Sequence, residues 1–142
     1  PAKRLPNITR AGPKAAPAVA PLTAALNDTN RFVRQSATWA LGGIGADAEA
    51  AVPALGAALS DEFIGNTAAW ALAEIGPGAE GAVPALIARL KDPRKDACWY
   101  AVKALGKIGP KATPAIEALT AALTDEREDV RKAATIALET IK

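Results

Sequence analysis

The sequence contains no histidine and no methionine, one cysteine, and only 4% aromatic residues. Without histidine there is no Ser-His or Cys-His nucleophile pair, no imidazole general base and no histidine-bound metal. A single cysteine excludes an internal disulfide and a zinc site built on cysteine pairs. No run of about 18 apolar residues occurs, so no segment reads as a membrane-spanning helix. No charge sign dominates: the formal net charge over 142 residues is +2, which gives no strong global attraction to nucleic acid. Eleven prolines and eleven glycines beside 23% charged residues do not read as disorder, because apolar residues recur too regularly. The chain begins at Pro1 rather than Met, as a processed or excised chain would, and no signal peptide is recognisable.

What is abundant is a hydrophobic half rich in alanine, and it is periodic. Four segments align: VAPLTAALND ending at Asp28, VPALGAALSD at Asp61, VPALIARLKD at Asp92, and IEALTAALTD at Asp125. These aspartates are spaced 33, 31 and 33 residues apart. A second series (ATWALGGIG, AAWALAEIG, YAVKALGKIG, AATIALETI) closes on Ile44, Ile75, Ile108 and Ile141, spaced 31, 33 and 33. A unit of about 32 residues therefore recurs, the signature of a repeat architecture. The second copy is two residues short just after Asp61. One repeat domain spans 1–142, with repeats at 13–45, 46–76, 77–109 and 110–142. Residues 1–12 read as the tail of a partial repeat, either a worn-down cap or the edge of a cut array. The charged last unit suits a solvent-facing cap, or is followed by a further repeat.

Each unit reads as two helices. In the first, Val52, Leu55 and Leu59 fall at i, i+3, i+7, and Val83, Leu86, Leu90 and Ile116, Leu119, Leu123 repeat this stripe. In the second, Val33, Ala37, Ala40, Leu41 and Ile44 recur as Val130, Ala134, Ala137, Leu138 and Ile141. Gly45, Gly76 and Gly109 follow the second helix, where glycine takes the left-handed C′ conformation. Pro13, Pro77 and Pro110 stop continuation. Pro17, Pro53, Pro84 and Pro114 sit in or near the first turn of the first helix, where a missing N–H costs little; Pro21, one position deeper, is expected to bend its helix. The four aspartates read as turn or N-cap residues between the helices. One hairpin cannot bury its own apolar face, but stacked hairpins can, so the expectation is an all-α, right-handed superhelix of four hairpins.

The run of Asp28, Val33, Arg34, Ala37, Ala40, Leu41, Gly42, Ile44 and Gly45 resembles the HEAT-like repeat of the phycobilisome-lyase type. The resemblance extends in four copies from about Gly12 to Lys142. It implies an arginine that pairs with the turn aspartates along the stack. Gly65 and Cys98 replace that arginine, so the ladder is expected to break in the middle of the protein. It also implies that the second helix of each hairpin lines the concave side.

All six aromatic residues, Phe32, Trp39, Phe63, Trp70, Trp99 and Tyr100, fall on the second-helix segments. At about 100° per residue, Trp39 and Trp70 lie roughly 140° from the apolar stripe, Phe32 and Phe63 roughly 120°, and Trp99 roughly 180°; Tyr100 points sideways. Five of the six thus face away from the intra-unit core, and the resemblance places them in the groove. Aligned positions add Gln35, Asn66 and Lys132, which match Trp99, and Asp96, Lys103, Asp129 and Ile136. These twelve residues (Tyr100 apart) form the expected partner-binding set, aromatic toward the N-terminal half and charged toward the C-terminal half. Exposed aromatic patches mark interaction surfaces, with Trp a favoured anchor; the competing reading packs these rings on one another.

Charge alternates along the array. Residues 1–45 carry six bases and one acid, 46–76 five acids and no base, 77–109 six bases and three acids, and 110–142 five bases and six acids. A nucleic-acid groove needs one continuous basic stripe, so this pattern disfavours it. The expected function is a non-enzymatic protein-interaction scaffold that takes a peptide or protein in its groove, with no catalytic set, metal or cofactor; a homodimer through the aromatic strip is the variant of the same idea. Cys98 reads as a packing residue. The competing class is an enzyme or enzyme subunit of bilin-lyase or alkylpurine-DNA-glycosylase type. It would hold a flat aromatic ligand between Trp70 and Trp99, with Asp96 beside a cationic base.

Overall fold

A computed structural model of the chain describes residues 17–94 and 96–142. The expectations for residues 1–12 and for Pro13 lie outside the described residues. Those described form helices joined by short turns, with no strand among them. Eight helices alternate in two kinds. The first helices are α1 (Val19–Ala25), α3 (Val52–Ala58), α5 (Val83–Arg89) and α7 (Ile116–Ala122); the second are α2 (Arg31–Ile44), α4 (Gly65–Ile75), α6 (Ala97–Ile108) and α8 (Glu128–Ile141).

Glycine sets the corner between units. Gly45, Gly76 and Gly109 have φ of 75°, 75° and 78°, and each N–H bonds the carbonyl of Leu41, Leu72 or Leu105 one turn back. The expected left-handed conformation is only half met. With ψ at −138°, −138° and −145° these residues occupy the positive-φ extended region, open essentially to glycine alone. That geometry turns the chain straight into the 3₁₀ segments Gly45–Ala51, Gly76–Ala82 and Gly109–Ala115, which run directly into α3, α5 and α7. Pro21 does not need the expected bend: it is the third residue of α1, where an N–H has no intrahelical acceptor.

The turn aspartates act alike in all four copies. Oδ1 of Asp28, Asp61, Asp92 and Asp125 accepts the backbone N–H two residues on, from Asn30, Phe63, Arg94 and Arg127, at 2.7–2.9 Å. This side-chain turn fixes the reversal between the two helices. In the last two copies the same carboxylates also hold the guanidinium of the residue two positions on. Hydrogen bonds from Arg94 hold the Asp92 carboxyl down at about 2, and those from Arg127 do the same for Asp125. A depressed folded pKa stabilises above the unfolded value of 3.8 and is lost as pH falls toward 2. Urea unfolding followed across pH should therefore show a plateau that falls below pH 3.8. The Asp92→Asn/Asp125→Asn double variant should show a shallower fall.

The buried stripe is continuous. Leu41, Leu55, Leu72, Leu86, Leu105 and Leu119 are all fully buried, and the core joins every hairpin. Each such side chain contributes about 1.5–3 kcal/mol of apolar burial. The second helices pack directly on one another, α2 on α4, α4 on α6 and α6 on α8. The first helices meet their neighbours chiefly through the 3₁₀ segments, α3 against Gly76–Ala82 and α5 against Gly109–Ala115. Small residues permit the close layer: a β-carbon on Gly106 of α6 would stand 3.1 Å from the Ala137 Cα of α8.

The arginine ladder differs from the expectation in an informative way. Arg34 Nε bonds Asp61 at 3.2 Å, and its Nη1 donates to the Asp28 carbonyl at 2.8 Å. Arg131 Nη1 donates to the Asp125 carbonyl at 2.7 Å. At Gly65 the rung is replaced rather than lost. Arg89, on the next first helix, sends its guanidinium into the vacant space, donating to the Leu59 carbonyl and, at 2.6 Å, to Asn66 Oδ1. Arg89 is buried and stands where the other copies have Ala25, Ala58 and Ala122. At Cys98 no arginine returns on α6; burial pushes this thiol up, as befits a packing residue rather than a nucleophile.

Candidate functional site

Aromatic residues of α2 meet those of the following unit in two rungs. Phe32 and Phe63 stand edge to face, with ring centroids 5.5 Å apart. Trp39 and Trp70 stack at 4.4 Å, tilted by 54°. Pairs at such distances are worth about 0.5–1.5 kcal/mol beyond burial. Phe32 and Trp39 are seven residues apart on one helix, so the rungs are separated by about 10 Å. The rungs are ordered without being covered: Phe32 is 62% exposed, Trp39 50% and Phe63 37%. Phe63 is not on a helix as expected. The two missing residues delay α4 until Gly65, and Phe63 lies in the turn held by Asp61.

Two supports of this surface escaped sequence reading. Trp70, half-buried, lies over Gly42 of α2; a β-carbon there would fall inside the indole. The glycine is the seat of the ring. Arg31 places its guanidinium carbon 5.3 Å from the Phe32 centroid and 4.7 Å from that of Phe63, a cation–π bracket across the rung. Arg31 has the simplest available signal, a cation beside an aromatic at a helix start. The role of Gly42 becomes visible only when α4 is laid against α2.

The remaining expected residues divide. Trp99 is half-buried and pairs with Tyr100 at 4.9 Å, edge to face; Lys103 Nζ stands 5.6 Å from the Trp99 ring centre. Ile136 is 60% exposed. Asn66 is turned into its bond with Arg89, away from the role expected of it, because Arg89 fills the space left by Gly65. Gln35 is half-buried, its Oε1 buried with no partner among the described residues. Asp129 is exposed and accepts the Val130 N–H, and Lys132 pairs with Glu128 at 2.9 Å. Asp96 precedes α6, with φ at 66°, and is not on the helix face that carries Trp99. Trp70 pairs with Trp39 and Trp99 with Tyr100, so the two indoles considered for a flat ligand are each in contact with a different ring.

No group of three or more His, Cys, Asp or Glu residues able to hold a metal occurs among the described residues. Among them no helix is long and apolar enough to cross a membrane.

Comparison with known proteins adds to this geometry. The family model for HEAT repeats matches residues 8–73 and 66–139. Among solved structures, one engineered protein is similar with a TM-score of 0.73 and 25% identity, over 96% of this chain and 71% of that one. A second engineered protein gives 0.69 and 26%, over 87% and 62%. Computationally designed armadillo repeat proteins for modular peptide recognition give 0.68 and 25%, over 88% and 65%. The chain thus spans less than two thirds of the length of the latter two. No curated protein sequence matches.

Proposed function

The chain belongs to the HEAT-repeat family, and on that premise we propose that it is a non-enzymatic scaffold whose second-helix layer binds a peptide or protein segment. The observation that carries the reading is the pair of rungs, Phe32–Phe63 and Trp39–Trp70, ordered by contact across two repeats and still open to solvent. A rigid aromatic surface loses little side-chain entropy when a partner covers it, which suits Trp and Phe to anchoring positions. The second helices form the more directly packed layer, as on the inner side of a curve. The spacing of about 10 Å between rungs matches about three residues of an extended strand. Structural neighbours designed for modular peptide recognition support the same use of a repeat array. Trp99, Lys103, Asp129, Lys132 and Ile136 extend the surface toward α8, and Asp96 borders it before α6; Asn66, held by Arg89, is left out of it.

The test uses a displayed random-peptide library selected on the immobilised chain. Selected peptides should bind the Phe32→Ala/Trp39→Ala variant at least tenfold more weakly, about 1.4 kcal/mol, while its unfolding stays cooperative and its midpoint falls by several degrees through loss of two ring contacts worth about 0.5–1.5 kcal/mol each. Equal binding by the variant overturns the reading. Light scattering provides the second arm: a dimer of the unliganded chain that dissolves in the variant assigns the strip to self-association instead.

A further inference from the structure

The register of the Trp39–Trp70 rung recurs between α6 and α8 without either indole. Gly42 in α2 has its counterpart in Gly106 of α6, and the rings above Gly42, Trp39 and Trp70, have theirs in Lys103 and Ile136. Over Gly42 the space between adjacent second helices is closed by an indole. At Gly106 the α8 backbone itself comes close, with the Ala137 Cα 3.1 Å from where a β-carbon would stand, and beside that contact lies an open trough of about 320 Å³ between α6 and α8, lined by Val102, Gly106, Ala133 and Ala137 and by Lys103, Lys107, Ile136 and Thr140. Its walls carry two ammonium groups and no carboxylate. Ile136, at the Trp70 position, is 60% exposed and leaves the space unfilled.

We propose that this trough receives an aromatic side chain of an acidic peptide. Between α2 and α4 the same register holds two paired indoles, whereas Lys103 and Ile136 at these positions leave an apolar-floored trough open to a flat ring. Lys103 and Lys107 select what flanks the ring. Both are exposed, both border the opening, and carboxylates on either side of the incoming aromatic would meet them as the segment is seated. A volume of this size is at the small end for a ligand site, which suits one side chain rather than a free cofactor. The inference rests on the reading of the second-helix layer as a peptide-binding surface and names the partner chemistry at its C-terminal end.

Three synthetic peptides test it on the full chain by amide NMR titration: Ac-Asp-Asp-Trp-Glu-Glu-NH2, the same peptide with Ala for Trp, and Ac-Lys-Lys-Trp-Lys-Lys-NH2. The acidic Trp peptide should give saturable shifts confined to residues 102–107 and 133–140, at least tenfold tighter than either control. Ile136→Trp, which rebuilds the internal indole on an exposed position, should abolish those shifts. Lys103→Glu/Lys107→Glu should weaken them at least tenfold and leave the amide spectrum otherwise unchanged. Shifts clustered instead at Phe32, Trp39, Phe63 and Trp70 overturn the inference and leave the aromatic-strip reading standing. Seating between α6 and α8 while library peptides ignore Phe32→Ala/Trp39→Ala does the opposite. Absence of saturable shifts, or equal binding of the basic peptide, also overturns it.

Discussion

Arg89→Ala is expected to lower the unfolding free energy by about 3 kcal/mol, an unusually large cost for removing a charged side chain. The guanidinium is buried and donates to the Leu59 carbonyl at the end of α3 and to Asn66 Oδ1 in α4. Truncation leaves a carbonyl without its charge-assisted donor and opens a void beside Gly65. Arg89→Lys should recover less than half of the loss, because a point charge on a flexible stem cannot reproduce two donors in a fixed fork. The reciprocal change is informative as well. A β-carbon at Gly65 would stand 2.7 Å from Arg89 Nη1 and 2.7 Å from the Leu59 carbonyl oxygen. Gly65→Ala should therefore cost about 2–3 kcal/mol, and in the Arg89→Ala background it should cost about 1 kcal/mol less, because one of the two collisions has gone. It should not become neutral, since the backbone carbonyl remains. Urea unfolding of the two single variants and the double variant measures all three quantities. Strict additivity would show that Arg89 does not occupy the space that Gly65 leaves.

That pair also marks how far sequence reading reaches. The period, the eight helices, the turn aspartates and most of the buried stripe were legible, because each recurs in register and repetition averages out local ambiguity; Val33 and Leu123, in the stripe by spacing, are exposed in the first and last units. Features that occur once were not legible. The arginine missing at Gly65 was visible as a gap, but its replacement comes from Arg89, 24 positions further on, on a different helix of a different copy. Only packing brings the two together. The same holds for the surface. Angular reasoning placed Phe32 and Trp39 away from the core, and both are exposed. It could not show that Trp70 is half-buried over Gly42, since that depends on the distance between α2 and α4 rather than on direction from one axis. Phe63 left the helix because the shortened second copy starts α4 late, so an angle counted back from Ile75 no longer applies. Alignment alone puts Asn66 in the groove, whereas its carboxamide is taken by Arg89.

Gly42→Ala should have the second large effect, and on the surface rather than on the fold. The added methyl occupies the position of the Trp70 six-membered ring, so the indole must swing off α2. Alanine is the better helix former by about 1 kcal/mol, which offsets part of the lost packing, and the net destabilisation should stay near 1–2 kcal/mol. The optical consequence is larger: two indoles with centroids 4.4 Å apart and planes tilted by 54° are close enough for exciton coupling. Their couplet in the circular dichroism spectrum should disappear in the variant while the helical signal remains. Binding by library-selected peptides should fall at least tenfold in parallel. Gly56→Ala is the contrasting case within the same molecule. It also adds a methyl to the interior of a helix, α3, but the nearest atom would be the Ala82 β-carbon at 3.8 Å. It should raise stability by about 0.5–1 kcal/mol through helix propensity alone, with the indole couplet and peptide binding untouched. If Gly42→Ala instead behaves like Gly56→Ala, Trp70 does not rest on α2, and the Trp39–Trp70 rung is not the rigid anchor that a docking surface requires.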